Sequence, residues 1–185
     1  MRRHLTLLDI LVLVAATAVG LGMVRVYDPN YQEPSPFRFL DWARGGPSCV
    51  AASLAVATLS LRLCQPRPRV RRLLRQPGWV ACAAVAFGCV MGVIFEGVSI
   101  PIIIGRMGTH YKLGWLEFNS LWQGTVHYIP FIVAGAWLTL AASGHWRSER
   151  SWIDRLGRAL GTYWLAYIGI EVLAPVLAPL VTFLQ

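Results

Sequence analysis

Charged residues are scarce in this chain of 185 residues. Asp, Glu, Lys and Arg together make up 14% of it, against about 25% in a typical soluble domain. Hydrophobic residues make up 56%, above the roughly 45–50% of soluble domains. No segment between the apolar blocks is long enough to form a soluble domain of its own. The composition therefore predicts a single integral membrane domain over residues 1–185.

The sequence also lacks the residue patterns of the common catalytic and metal centres. It contains no G-x-S-x-G and no H-E-x-x-H motif, which would supply a nucleophile or zinc ligands. Its four cysteines form no C-x-x-C pair, so neither a zinc site nor a thioredoxin-like site is expected. We predict no catalytic residue, no metal site and no cofactor, and we interpret the cysteines as small apolar packing residues.

What the sequence does contain is a series of long apolar blocks. A helix needs about 20 residues to cross a bilayer, and five blocks approach or exceed that length, at residues 5–26, 47–64, 78–104, 121–143 and 160–184. In lipid the backbone polar groups must be bonded within the protein, so each block is predicted to be a helix. The predicted fold class is all-α, a polytopic membrane helix bundle of about five transmembrane helices.

Lysine is nearly absent, with one residue against 16 arginines, and these 17 basic residues are unevenly placed. Twelve lie at the N-terminus or in and beside the connections 65–77 and 144–159, and five lie in or beside the connections 27–46 and 105–120. Positive residues favour the cytoplasmic side. We therefore predict five crossings of a bacterial cytoplasmic (inner) membrane, with the N-terminus inside and the C-terminus outside. Arginine in place of lysine is typical of a GC-rich bacterial gene.

The basic segment RPRVRRLLRQ, residues 67–76, adjoins a predicted membrane helix. A basic run can indicate nucleic-acid binding, but beside a membrane each arginine contributes about 1 kcal/mol of attraction to anionic lipid. We predict the bilayer and its anionic headgroups as partners, and no nucleic acid. The alternative is that the segment is only a topology signal. The predicted headgroup contacts are Arg67, Arg69, Arg71, Arg72 and Arg75.

The stretch HLTLLDILVLVAATAVGLG, residues 4–22, resembles the start of a type IV pilin, in which a basic leader runs into a hydrophobic helix. Asp9 stands where pilins carry a glutamate. The chain departs from pilins at His4, where processing needs a glycine, and four further apolar blocks take the place of the soluble head. We therefore interpret residues 5–26 as a membrane helix rather than as a pilin segment.

The same N-terminal region also has features of a signal peptide. Residues 2–3 are basic, residues 5–15 are apolar, and residues 16–18 form an A-x-A-like site. Because the apolar run continues to Val26 and Asp9 interrupts its start, we expect the segment to be retained as a helix. Cleavage would leave four crossings in the same orientation.

Ionisable residues inside the apolar blocks are few, and we treat them as candidates for function. A charged group at mid-bilayer costs about 2.5–3.5 kcal/mol, so such groups usually face protein or water. Asp9 lies near the membrane edge, where Arg2 or Arg3 can pair with it. The others form a candidate buried polar cluster with two neutral residues: Glu96, His127, Glu171, Gln123 and Tyr167.

The third predicted helix, over residues 78–104, has a face suited to close packing against another helix. Ala84, Gly88, Gly92 and Glu96 recur every four residues and so share one ridge. The G-x-x-x-G pair within it allows another helix to approach closely. Pro101 leaves a carbonyl without its helical donor and predicts a kink.

Glu96 and His127 are predicted to lie at similar depth on consecutive helices. A buried carboxyl and a buried imidazole are costly to leave unpaired. We therefore predict that they bond to each other, directly or through one water. Tyr128, Arg106 and Glu171 are competing partners.

In type, the chain resembles the small multi-pass membrane proteins of bacteria, a resemblance that carries no site residue over. The expected function is that of a non-catalytic small subunit, or an assembly or scaffold component, of a membrane complex, with a membrane protein or a second copy as partner. One alternative is a small proton-coupled transporter that uses the buried carboxylates, although no internal repeat supports it. A second alternative is an intramembrane enzyme. The polar cluster can also be structural, as hydrogen bonds that hold the helices together.

Overall fold

A computed structural model describes the backbone of residues 6–26, 38–64, 73–107, 115–147 and 151–183, and the side chains within them except at 25–26, 38–44, 96–107, 115–121, 123 and 174–183. In these ranges the protein is all-helical. The helices are α1 (Leu7–Val26), α2 (Arg38–Leu63), α3 (Pro77–Met107), α4 (Trp115–Ala142) and α5 (Trp152–Phe183). Each helix covers most of one predicted block, so the predicted helix-bundle fold class is confirmed.

Four of these helices contain an apolar segment long enough to cross a membrane within the described residues. Helix α5 is 32 residues long, but the side chains of its last residues, 174–183, lie outside the described set. The fifth crossing therefore stays a prediction. The candidate spans are Leu7–Val24, Gly45–Leu63, Pro77–Phe95 and Gly124–Ala142.

Helices α2 to α5 form the body of the bundle, and α1 lies along its side. Helix α3 packs against α2, α4 and α5, whereas α1 packs mainly against α2. Small residues let the helices approach closely. Among the cysteines, Cys49 and Cys82 lie in this core, but Cys64 is exposed at the end of α2. The most deeply buried core side chains include Cys49, Ala55, Ala81, Cys82, Val85, Val126, Ile129, Val133 and Trp164.

The predicted glycine ridge of α3 faces α4. A Cβ atom built on Gly88 would lie 2.8 Å from Cγ1 of Ile129, and one built on Gly92 would overlap the side chain of Thr125. The two helices therefore touch where these residues have no side chain, as the G-x-x-x-G pattern predicted. Helix α3 continues through Pro101 to Met107, and the predicted kink stays a prediction.

One end of the bundle is held together by a buried carboxylate. Asp154, in the first turn of α5, is 2% exposed. Its Oδ1 accepts a hydrogen bond of 3.0 Å from the backbone N–H of Gly78, at the start of α3. Its Oδ2 lies 3.3 Å from Nε of Arg158, at ion-pair distance. The backbone N–H of Asp154 donates to Oγ of Ser151 at 3.3 Å. One side chain thus caps α3 and joins it to α5.

Further polar contacts join the other helices at the same end. Nε1 of Trp137, on α4, donates to the carbonyl oxygen of Pro77 at 2.9 Å. Nη2 of Arg62, on α2, donates to Oε1 of the buried Gln76 at 3.3 Å. The backbone N–H of Arg147 donates to the carbonyl oxygen of Arg75 at 3.0 Å. We call this the arginine-rich end, defined by Arg62, Arg75, Arg147 and Arg158.

Candidate functional site

An imidazole and a carboxylate meet between α4 and α5, towards the end opposite to the arginine-rich end. Nδ1 of His127 lies 2.9 Å from Oε2 of Glu171, a hydrogen bond that is also at salt-bridge distance. The hydroxyl of Tyr167, one turn earlier on α5, donates to Oε1 of the same carboxylate at 2.8 Å. Both carboxylate oxygens are therefore bonded within the bundle.

Three of the five residues of the predicted polar cluster thus come together here. The side chains of the other two, Glu96 and Gln123, lie outside the described residues. The predicted bond between Glu96 and His127 accordingly stays a prediction. The described partner of His127 is Glu171, which was one of the competing partners. Which carboxylate meets the imidazole depends on how the helices are rotated, and local sequence spacing does not set that rotation.

The exposed fraction of the side chains increases across the cluster, from Tyr167 in the interior to His127 at the surface of the bundle. Tyr167 is 5% exposed, the side chain of Glu171 is 18% exposed, and that of His127 is 48% exposed. His127 lies three residues inside the apolar segment Gly124–Ala142, which is about 4.5 Å along the helix axis. A polar pair is therefore partly uncovered on the face of a membrane-spanning helix, near the edge of its apolar segment.

Helix α5 carries a second polar contact that sequence reasoning missed. The hydroxyl of Tyr163 lies 3.0 Å from Oγ of Ser48 on α2. Between the two contacts lies Trp164, which is fully buried and packs edge-to-face against both tyrosine rings, at centroid distances of 5.4 and 5.9 Å. Tyr163 and Tyr167 are four residues apart and so share one face of α5, but nothing in the sequence singles out Ser48.

The described side chains of the site have the chemistry of a proton-sharing group. Carboxylate, imidazole and phenol can each hold or pass a proton. Zinc sites need three or four protein ligands, and the side chains that the structure describes contain no group of three or more His, Cys, Asp or Glu residues that could hold a metal ion.

One of the predicted lipid-contacting arginines, Arg75, lies at the arginine-rich end. Arg75 is described, and its backbone carbonyl oxygen joins the turn after α4 through Arg147. The remaining four, Arg67, Arg69, Arg71 and Arg72, lie outside the described residues. Their contact with anionic headgroups therefore stays a prediction.

Fold and site together define the class of this chain as a polytopic helical membrane bundle with a carboxylate–imidazole pair between α4 and α5. No protein-family model matches the sequence, and neither a curated protein nor a solved structure shows significant similarity to it.

Proposed function

We propose that this protein is a non-catalytic subunit, or an assembly or scaffold component, of a membrane complex, and that α4 and α5 form the face that meets the partner. One observation carries the proposal. The His127–Glu171 pair is incompletely covered by the chain's own helices, although His127 belongs to an apolar segment fit to cross a membrane.

Polar groups in membrane helices usually face protein or water, because an ionisable side chain in the hydrocarbon region costs about 2.5–3.5 kcal/mol. Only Nδ1 of His127 has a hydrogen-bond partner in the described part of the chain. A polar side chain on a partner helix would bond to Nε2 and cover the pair. The neighbouring side chains Phe131 and Ile170 are apolar and exposed, at 61% and 47%, so a helix packed over the site would gain van der Waals contacts with them.

The alternative is a small proton-coupled transporter in which Glu171 and His127 carry the proton. Such a path needs polar groups that continue through the bundle. Among the described side chains the Ser48–Tyr163 contact and the His127–Glu171–Tyr167 cluster are separated by the ring of Trp164. This separation favours the subunit proposal. The second alternative, an intramembrane enzyme, has neither a catalytic motif nor a described metal-ligand group in its support.

Photo-crosslinking in native membranes tests the partner face. A crosslinking residue at Phe131 is expected to give one discrete adduct with a partner of fixed stoichiometry. The matched control is Phe87, a phenylalanine of similar exposure, 56%, on α3. It lies outside the α4–α5 face and is expected to give little adduct. Absence of any adduct at Phe131, with a lone protein whose stability responds to a solute, would contradict the subunit proposal and favour transport.

Substitution of the imidazole gives the second test of the same proposal. We expect His127→Ala to lower the yield of the Phe131 adduct about tenfold, which corresponds to about 1.4 kcal/mol and is typical of a polar contact between membrane helices. The control is His145→Ala, at an exposed residue beyond the end of α4, which should leave the yield unchanged. Equal yields from the two variants would show that the imidazole does not contribute to the contact.

We further propose a bacterial cytoplasmic membrane as the location, with the N-terminus inside and with arginines 67–75 at anionic headgroups. The support is the uneven distribution of arginine. Reporter fusions at Arg72 and Arg150 are expected to give a cytoplasmic signal, and fusions at Pro36 and Gly114 an external one. An external signal from the Arg72 fusion would overturn this orientation.

A further inference from the structure

A groove of about 560 Å³ lies between α1 and the body of the bundle. Helix α1 forms one wall, from Val12 to Met23, and α2 forms the other, from Ala52 to Ser60. Residues of α3 and α4, among them Trp122, complete the lining. Most of the lining side chains are alanine or valine, which are too short to fill the space between the helices.

The walls of the groove offer almost nothing polar to a ligand. The hydroxyl of Ser53 donates to the backbone carbonyl of Cys49 at 2.8 Å, and that of Ser60 donates to the carbonyl of Val56 at 2.9 Å. Both serine protons are therefore used within α2 itself. A water molecule needs two to four polar partners to be held, so the groove suits hydrocarbon rather than water.

The dimensions of the groove suit a hydrocarbon chain. Val12 and Met23 are 11 residues apart, which is about 16 Å along a helix. A groove of that length with a volume of about 560 Å³ accommodates the extended part of an acyl chain.

The groove lies where hydrocarbon chains of lipid can reach it. Its two walls belong to Leu7–Val24 and Gly45–Leu63, both of which are candidate membrane spans. The groove therefore opens sideways into the lipid, where acyl chains are the solvent. Transfer from water does not drive binding in that setting, so the attraction comes from van der Waals contacts with the walls of the groove.

We propose that this groove binds one acyl chain of a membrane phospholipid and holds it between α1 and α2. This site is separate from the α4–α5 face of the proposed function and does not depend on it. Since α1 packs mainly against α2, the bound chain adds a second set of contacts between α1 and the bundle body.

The test uses the full-length protein in mild detergent with a phospholipid that carries a photoactivatable group on its acyl chain. In native mass spectrometry, the wild-type protein is expected to retain one phospholipid per chain. Ala16→Phe fills the groove from α1 and is expected to lower the retained fraction at least tenfold. The matched control is Ala18→Phe, two residues away on the same helix, at an exposed residue outside the groove lining. It should retain lipid as the wild type does.

A second variant and a second readout cover the case in which Ala16→Phe does not fold. Ser60→Phe fills the groove from an exposed position on α2 and should also lose the lipid. In the wild type, illumination should label peptides that contain Ala16 and Ser60 more than those with equally exposed residues elsewhere. Even labelling over all apolar helices, equal retention by Ala16→Phe and Ala18→Phe, or crosslinks between two protein copies would overturn the proposal.

Discussion

Replacing Asp154 with alanine is expected to lower the free energy of unfolding by about 3 kcal/mol, because the change breaks a buried, charged contact between helices. The carboxylate is 2% exposed, accepts the Gly78 N–H at 3.0 Å and lies 3.3 Å from Nε of Arg158. Without it, a buried amide at the start of α3 loses its acceptor and a guanidinium loses its counter-charge. The loss is limited because Arg158 is partly exposed and regains some hydration.

The change in stability can be measured through the reactivity of the buried cysteines. Cys82 is buried at 1% exposure, whereas Cys64 is exposed. In a Cys64→Ser background, the reaction of a thiol dye with the remaining buried cysteines reports unfolding as detergent or temperature is raised. Asp154→Asn keeps an acceptor for Gly78 but removes the charge, and should fall between alanine and wild type. Arg155→Ala, at the exposed neighbouring residue, should change stability by less than about 0.5 kcal/mol. An unchanged transition in Asp154→Ala would show that the contact does not hold α3 and α5 together.

Asp154 also shows where prediction from sequence stops. It lies before the apolar block 160–184. A carboxylate at the start of a helix is usually solvated. Its local role as a residue of the first turn after Ser151 could be predicted from the S-x-x-D pattern. Its tertiary role could not, because the partner Gly78 is 76 residues away in sequence.

The helices themselves were predictable because a long apolar run is a local property. Their ends were not. Helix α2 begins at Arg38 and α5 at Trp152, nine and eight residues before the apolar blocks that predicted them. These first turns contain charged residues, which an apolar-run criterion excludes. A helix continues through them because charge does not prevent backbone hydrogen bonding, and an acidic residue in a first turn favours it.

Pairings between helices were predictable only in part. The spacing of Gly88 and Gly92 correctly predicted a close helix contact, since two missing side chains one turn apart leave a groove on any helix. The spacing of His127 and Glu171 on their own helices could not show which carboxylate meets the imidazole. That choice depends on how α3, α4 and α5 are rotated, which is set by packing along their whole length.

A second small-residue pair, Gly157 and Gly161 on α5, has the same spacing as the pair on α3. A Cβ atom on Gly157 would overlap the carbonyl oxygen of Gly78 and lie 2.7 Å from its carbonyl carbon. One on Gly161 would lie 2.9 Å from Cβ of Ala81. Helices α3 and α5 therefore touch backbone to backbone next to the Asp154 contact, and the close approach brings the carboxylate within reach of Gly78.

Gly157→Ala is consequently expected to destabilise the protein by about 2 kcal/mol. Overpacking usually costs about 1–3 kcal/mol. Here the cost lies at the upper end, because the new Cβ would overlap a backbone atom, the carbonyl oxygen of Gly78, which cannot rotate away. The better helix propensity of alanine offsets up to about 1 kcal/mol of it. The forced separation of α3 and α5 should also lengthen the bond from Gly78 to Asp154, so Gly157→Ala and Asp154→Ala are expected to be less than additive.

Gly169→Ala is the control that separates packing from propensity. Gly169 lies on the same helix, three turns further along, and a Cβ atom built there meets nothing within 4 Å. The same substitution should therefore leave stability unchanged or raise it by up to about 1 kcal/mol. In the thiol-dye assay the two variants should differ by about 2–3 kcal/mol, which is the packing cost alone, because the gain in helix propensity is common to both. Equal transitions would mean that α3 and α5 are not in backbone contact. Next to Gly78, the two helices would then be joined by the Asp154 carboxylate.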